Sequence, residues 1–268
     1  MPTLDQHAST NLAKILAVGD SGTAKSGSLV SLALAGYKLK IADFDNGLDV
    51  LVGLLRDHPK WNSVKGNIEF ETFTDEYGDP KKTGRYAPKT GDAFTRGLKQ
   101  IAEWSSSGPD TWLVVDSLTR FCDRAMDRTL ALTGRLGQQP QLQEWGSAMA
   151  DIEAFLGLMS SKQVTCNTIM FAHKTYVEGD DGVAIPYPRA LGSKLPPKVP
   201  SFFNTMIGYI VSGTGENVKR EIVTTPYRGL GFKTPAPTKV KSKYVLDARE
   251  PERGLVDFVK DIGVTLPQ

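Results

Sequence analysis

Long apolar runs are missing from this chain of 268 residues: none approaches the ~20 residues that a membrane span needs. Cysteine is nearly missing as well. The two present, Cys122 and Cys166, lie in apolar segments without metal-ligand spacing, which argues against a disulfide framework and fits a reducing cytosol. Histidine is scarce, and His7 and His58 have no acid or thiol at metal spacing, so both are expected at the surface. No charge sign dominates: the net charge is +2, so any affinity for nucleic acid must come from local clusters. The first residues carry no basic region ahead of an apolar stretch, and 12–18 is too short for a signal core. These absences predict a soluble cytoplasmic protein with no membrane partner. What is present, 40% hydrophobic and 23% charged residues, is globular composition at a length that suits one large domain.

The order of elements predicts an α/β fold. "AKILAVG" (13–19) is a short apolar run that ends in glycine, as a buried strand entering a turn does. A helix follows over 26–36, then strands at 38–45 and 68–73, an amphipathic helix at 92–104 and a central strand, "TWLVVDS", at 111–117. Helices are expected near 118–132 and 142–162, and a buried strand at 165–173. Residues 74–91, rich in Gly, Pro and Lys, read as a mobile surface loop. Residues 174–203 carry five prolines and no periodicity, and read as a long structureless loop. From Thr205 the period becomes two, which predicts antiparallel strands closed by a helix near 251–262. The expected architecture is a mostly parallel sheet flanked by helices, with antiparallel strands at the C-terminal edge. The whole chain is read as one domain, with a core at 12–213 and a β-rich extension at 214–268.

"GDSGTAKSGS" (19–28) has the spacing of a phosphate-binding loop, Gly-x-x-x-x-Gly-Lys-Ser, except that Ala24 stands at the last glycine. It follows an apolar strand and opens a helix, whose free amides and dipole favour phosphate. The expected ligands are Gly19, Asp20, Ser21, Gly22, Thr23, Ala24, Lys25, Ser26 and Gly27. A nucleotide site also needs a carboxylate for Mg²⁺ at the end of another parallel strand, and Asp116 supplies it. Alanine before the lysine adds one methyl and keeps the amide donor. In a left-handed conformation it costs about 1–2 kcal/mol, which weakens the site without abolishing it.

These residues resemble the RecA-type P-loop ATPase core, most closely the short phage RecA-like proteins of the Sak type that anneal single-stranded DNA. The resemblance runs from Leu12 to about Leu246 and rests on separated motifs. "GDSGTAKS" matches the Walker A loop, and "WLVVDSLTRF" matches Walker B. "IADFDNGLDVL" matches the segment whose carboxylate activates water, which implies that role for Asp45, one carbon shorter than the usual glutamate. "IMFAHK" implies that His173 senses the γ-phosphate. "KVKSKY" resembles the Lys-x-Lys element that reaches into a neighbour's ATP, implying that role for Lys241 and Lys243. The resemblance therefore implies ATP, Mg²⁺ on Ser26 and Asp116, a homo-oligomeric ring or filament, and single-stranded DNA as ligand. It also implies work beside a single-strand-binding protein in phage recombination.

It places DNA on 133–143 and 174–203. Within 184–203, Arg189, Lys194 and Lys198 occur with no acid, beside Tyr187, Phe202 and Phe203, and such interleaving suits single-strand binding. Residues 219–243 add seven basic residues against one acid, Glu221. Lys239, Lys241 and Lys243 are expected on one face of a strand. Trp104, Trp112 and Trp145 read as core residues, Asp43 as structural, and Asp180–Asp181 as an exposed acidic pair. Two rival readings remain: a replicative helicase-type motor, and a module that binds nucleotide without hydrolysing it.

Overall fold

The computed structural model describes residues 12–79, 86–179 and 182–267. His7, part of the 74–91 loop, and the Asp180–Asp181 pair lie outside the described residues.

Ten strands and seven α-helices alternate along the described chain. The strands are β1 (Lys14–Gly19), β2 (Lys38–Asp43), β3 (Ile68–Thr72), β4 (Thr111–Asp116) and β5 (Asn167–Ala172). After them come β6 (Lys174–Glu178), β7 (Ala184–Pro188), β8 (Thr205–Ser212), β9 (Lys219–Val223) and β10 (Lys243–Leu246). The helices are α1 (Lys25–Leu34), α2 (Asp49–Arg56), α3 (Trp61–Val64), α4 (Ala93–Trp104), α5 (Leu118–Leu132), α6 (Leu142–Ser160) and α7 (Leu255–Asp261). None of the described helices is long and apolar enough to cross a membrane.

One sheet of eight strands runs β10-β9-β8-β1-β5-β4-β2-β3. From β8 to β3 all neighbours are parallel, while β9 and β10 are added antiparallel. This is the expected α/β architecture, a mostly parallel sheet with antiparallel strands at one edge. Helices cover both faces, which is why the central strands read as continuous apolar runs rather than alternating ones. Leu16 and Val18 of β1, Leu113 and Val115 of β4, and Met170 of β5 enter a core with α4, α5 and α6. Their neighbours Ile15, Ala17, Trp112, Val114 and Ile169 enter the opposite core with α1, α2 and α7. β9 and β10 continue the same sheet, and Leu255, Val256 and Phe258 of α7 pack in the core of α1. Trp104 and Trp112 are buried as expected, and Trp145 packs partly buried against the first core.

Four expectations need correction. Residues 174–203 are not structureless: β6 and β7 pair as an antiparallel hairpin, and Val199–Phe202 forms a 3-10 turn. Pro186 and Pro188 obscured the strand, yet a two-stranded ribbon tolerates proline because each strand has an unpaired edge. β8 is not purely antiparallel, since it runs parallel to β1 before pairing β9. Lys239 and Lys241 lie outside β10, in the turn before it, so they share no strand face with Lys243. Finally, Phe203 offers no stacking face, because it is buried in the core beside Val199 and Met206. The sequence reading also missed α2 and α3, short helices between two strands.

Candidate nucleotide site

The parallel strands end at one rim, as ligand-binding α/β sheets do. Register sets Asp43 opposite Asp116, Asp116 opposite Phe171, and Val18 opposite Ala172. Gly19 ends β1 at this rim, with β5 lying between its strand and that of Asp116. A side chain at Gly19 would meet the Tyr209 carbonyl oxygen at 2.6 Å, so only glycine fits beneath the loop.

The loop turns through two left-handed residues, Gly22 (φ 77°) and Ala24 (φ 70°). Ala24 therefore carries the strain its sequence position predicts. α1 starts directly after it with no side-chain cap and no acid in its first turn. Its leading amides are left for an anion, which the helix dipole favours. Lys25 is buried, and its ammonium donates to the carbonyls of Gly19 (2.9 Å) and Asp20 (2.8 Å). Burial lowers its pKa, opposed by the charges of Asp116, Asp45 and Asp20. Thr23 ties the loop by donating to the Asp20 carbonyl at 2.8 Å, and Asp20 pairs with Lys174 at 3.1 Å.

The Ser26 hydroxyl donates to Asp116 Oδ2 at 2.5 Å, across the end of β5. Asp116 is only 2% exposed, and burial pushes its pKa up to about 6. The Ser26 hydrogen bond and Lys25 oppose that rise, while the charges of Asp45 and Asp43 add to it. Asp43 is structural: it accepts from the amides of Asp45 (3.1 Å) and Gly47 (3.4 Å) and from Thr72 (3.2 Å). It thereby shapes the turn that presents Asp45. Asp45 accepts from the Ser117 hydroxyl at 2.9 Å and faces His173 Nε2 at 3.7 Å. Burial pushes its pKa up, but the neighbouring His173 and the Ser117 hydrogen bond outweigh this and hold it below the ordinary carboxylate value.

Together Lys25, Ser26, Asp45, Asp116 and His173 line one cavity of about 580 Å³. That volume lies within the usual range for small-molecule sites, roughly 300–1,000 Å³. A second, more apolar cavity of about 280 Å³ shares Gly22, Ala24, Gly27 and Val50 with it. Val30, Leu54, Leu246 and Pro251 line this slot, and Arg220 closes it by donating to the Gly22 carbonyl at 2.9 Å. The sequence reading missed the slot because its walls come from α1, α2 and the segment after β10. It also missed Thr119 and Arg120, which line the larger cavity from the start of α5.

The uncapped helix, the buried lysine and the Ser26–Asp116 pair fit a nucleotide with Mg²⁺. Among the described residues no group of three metal-ligating side chains exists. A magnesium ion here would take Ser26 and Asp116 with phosphate and water oxygens, its ordinary preference.

The other predicted site residues lie elsewhere, with one exception. Arg189 lines the larger cavity beside His173. Lys194 is exposed, with no hydrogen-bond or ion-pair partner among the described residues. Lys198 is exposed but paired with Glu153 of α6 at 2.7 Å, and Phe202 is half-buried against the core. Lys243 pairs with Glu221 at 3.0 Å, and the Lys241 ammonium sits 5.8 Å from the centre of the Tyr244 ring. Neither lysine lines the cavity of its own chain.

Neither a protein-family model nor a curated protein matches the chain. Solved structures do align with it. The flagellar accessory protein FlaH from Methanocaldococcus jannaschii is 13% identical, with a TM-score of 0.44, covering 87% of this chain and 85% of its own. A KaiC-like protein from Pyrococcus horikoshii OT3 is 11% identical, with a TM-score of 0.45 and coverages of 90% and 88%. An ATPase from the type III secretion system of pathogenic bacteria is 16% identical, with a TM-score of 0.46 and coverages of 74% and 51%. The class rests on the strand order and loop geometry themselves: a mostly parallel α/β sheet flanked by helices, with a phosphate-loop-like turn between β1 and α1 at the rim of the sheet.

Proposed function

We propose that the protein binds and hydrolyses ATP with Mg²⁺, and couples this to single-stranded DNA as a homo-oligomer. The observation that carries the reading is the convergence of Lys25, Ser26, Asp116 and Asp45 in one cavity at an uncapped helix N-terminus. Lys25 is placed to exchange the carbonyls of Gly19 and Asp20 for the outer phosphates. Mg²⁺, when bound, neutralises charge that develops on the phosphates. Asp45 stays ionised because Ser117 and His173 stabilise its charge, so it can accept a hydrogen bond from water and orient it for attack. The apolar slot beside Gly22 and Ala24 takes the base, with Val50 forming a wall common to both cavities.

The DNA reading rests on the elements that leave this rim. β6 follows His173 directly, and its exposed Tyr176 offers a stacking face, with the ammonium of Lys174, paired to Asp20, 5.5 Å from the centre of its ring. Lys194 adds an exposed cation in the same segment. Together with the phage-type sequence resemblance, this supports annealing or strand exchange in recombination, beside a single-strand-binding protein. Lys241 and Lys243, which do not line the cavity of their own chain, suit a contact with a neighbouring subunit's nucleotide.

The test is ATP turnover with Mg²⁺, with and without single-stranded DNA. Hydrolysis stimulated by DNA and lost in Lys25→Ala supports the reading. Nucleotide binding without turnover at saturating DNA would favour the non-hydrolysing module, and strand displacement on a forked duplex would favour the helicase-type motor.

A further inference from the structure

Arg189 reads in sequence as a DNA contact, but in the structure it borders the nucleotide cavity. Its backbone amide donates to the His173 carbonyl at 2.7 Å, so the two residues close the base of the β6–β7 hairpin. A buried threonine clamps both ends of that base. Thr119 Oγ1 accepts from the His173 amide at 3.0 Å and donates to the Arg189 carbonyl at 3.2 Å. Thr119 lies three residues after Asp116, so the hairpin is bolted to the helix that begins beside the magnesium-binding carboxylate.

Charge makes the position informative. Asp45 and Asp116 bring two carboxylates to this end of the cavity, and Lys25 is engaged by loop carbonyls. Arg120 borders the cavity too, but its guanidinium pairs with Asp123 at 3.3 Å. The Arg189 side chain is exposed and has neither a hydrogen bond nor an ion pair among the described residues. A permanently charged fork with all its donors free, next to a phosphate site, is suited to bind a phosphoryl group with two hydrogen bonds. The base slot is lined by Gly22, Ala24 and Val50, whereas the Arg189 backbone is bonded to His173, whose ring lies 3.7 Å from Asp45. Arg189 therefore faces the terminal phosphate rather than the base.

We infer that Arg189 binds the terminal phosphate of nucleotide held in its own chain and thereby ties the β6–β7 hairpin to the presence of that phosphate. The inference rests on the ATP-binding reading above and adds a cation that the loop motif does not contain. Loss of the terminal phosphate releases Arg189, while Thr119 keeps the hairpin base in register with α5.

The experiment measures affinities for a non-hydrolysable ATP analogue and for ADP, both with Mg²⁺, in wild type, Arg189→Ala and Arg189→Lys. Hydrogen exchange of 174–188 is followed in each complex. Arg189→Ala should lose about tenfold or more in affinity for the analogue, while its ADP affinity stays within about twofold. Arg189→Lys should recover part of the loss. In wild type the hairpin amides should exchange differently with the two nucleotides, and in Arg189→Ala the two profiles should coincide. Equal losses for both nucleotides, no loss for either, or hairpin profiles that still differ in Arg189→Ala would overturn the inference while leaving the ATP site intact. A wild-type protein that binds neither nucleotide would overturn the ATP reading itself, and this inference with it.

Discussion

Replacing Asp116 by asparagine should stabilise the fold while abolishing hydrolysis. The carboxylate is 2% exposed, and its pKa rises from the ordinary 3.8 to about 6 through burial, with the charges of Asp45 and Asp43 adding to the rise. For a group whose folded-state pKa is raised, the associated stability is complete below the unfolded value and is lost as pH rises through the folded one. The window is therefore 3.8 to about 6. A shift of about two units corresponds to roughly 3 kcal/mol at neutral pH, an upper bound because the unfolded chain is partly structured. Asparagine removes the buried charge and keeps an acceptor for the Ser26 hydroxyl. Urea unfolding without Mg²⁺ or nucleotide is the assay. The variant should be about 1–3 kcal/mol more stable than wild type at pH 7, with the difference shrinking toward pH 4. A variant that is less stable at pH 7, or a difference that does not change with pH, would refute the reasoning. The binding site would then hold Asp116 as an ordinary, well-compensated carboxylate.

Ala24→Gly should raise stability by about 1 kcal/mol, a few degrees in Tm, because the left-handed torsion belongs to the folded chain and outweighs glycine's greater freedom when unfolded. An unchanged melting curve would show that the loop carries no such strain. Lys194→Ala should reduce the salt slope of single-strand affinity by roughly 0.7, and an unchanged slope would move the DNA contact to 133–143. Lys241→Ala/Lys243→Ala protein, which keeps its own Lys25, should regain DNA-stimulated hydrolysis when mixed with Lys25→Ala protein. A double-lysine variant that hydrolyses ATP normally by itself would exclude a site shared between subunits.

Much of the site was legible because its chemistry is local. The spacing of Gly19, Lys25 and Ser26 within one strand–turn–helix needs no distant partner to be recognised. The left-handed turn at Ala24 followed from the same loop, since the position before the lysine is where glycine normally supplies that torsion. Asp116 was legible because a fully buried parallel strand ends in a single acid. The hairpin was not. β6 and β7 lack buried partners on a larger sheet, so neither an apolar run nor a clean alternation marks them, and proline spoke against them. The lysine row before β10 failed for the opposite reason: its alternation imitates a strand, but Lys239 and Lys241 lie in the turn that leads into it.

By itself, then, the sequence determined the parallel strands of the main sheet and the longer helices beside them, that the sheet is mostly parallel, and the loop spacing that points to phosphate. Periodicity and loop spacing are properties of neighbouring residues, and local sterics read them out. Only the tertiary structure decided which distant groups meet. It set Ser26 against Asp116 over the end of β5, and Ser117 and His173 around Asp45. It also brought Arg189 to the rim of the candidate nucleotide cavity, because the β6–β7 hairpin returns the chain to the point where β5 ended. Those meetings follow from strand order and register, which are settled by how two apolar faces are buried at once rather than by any one segment's own preference.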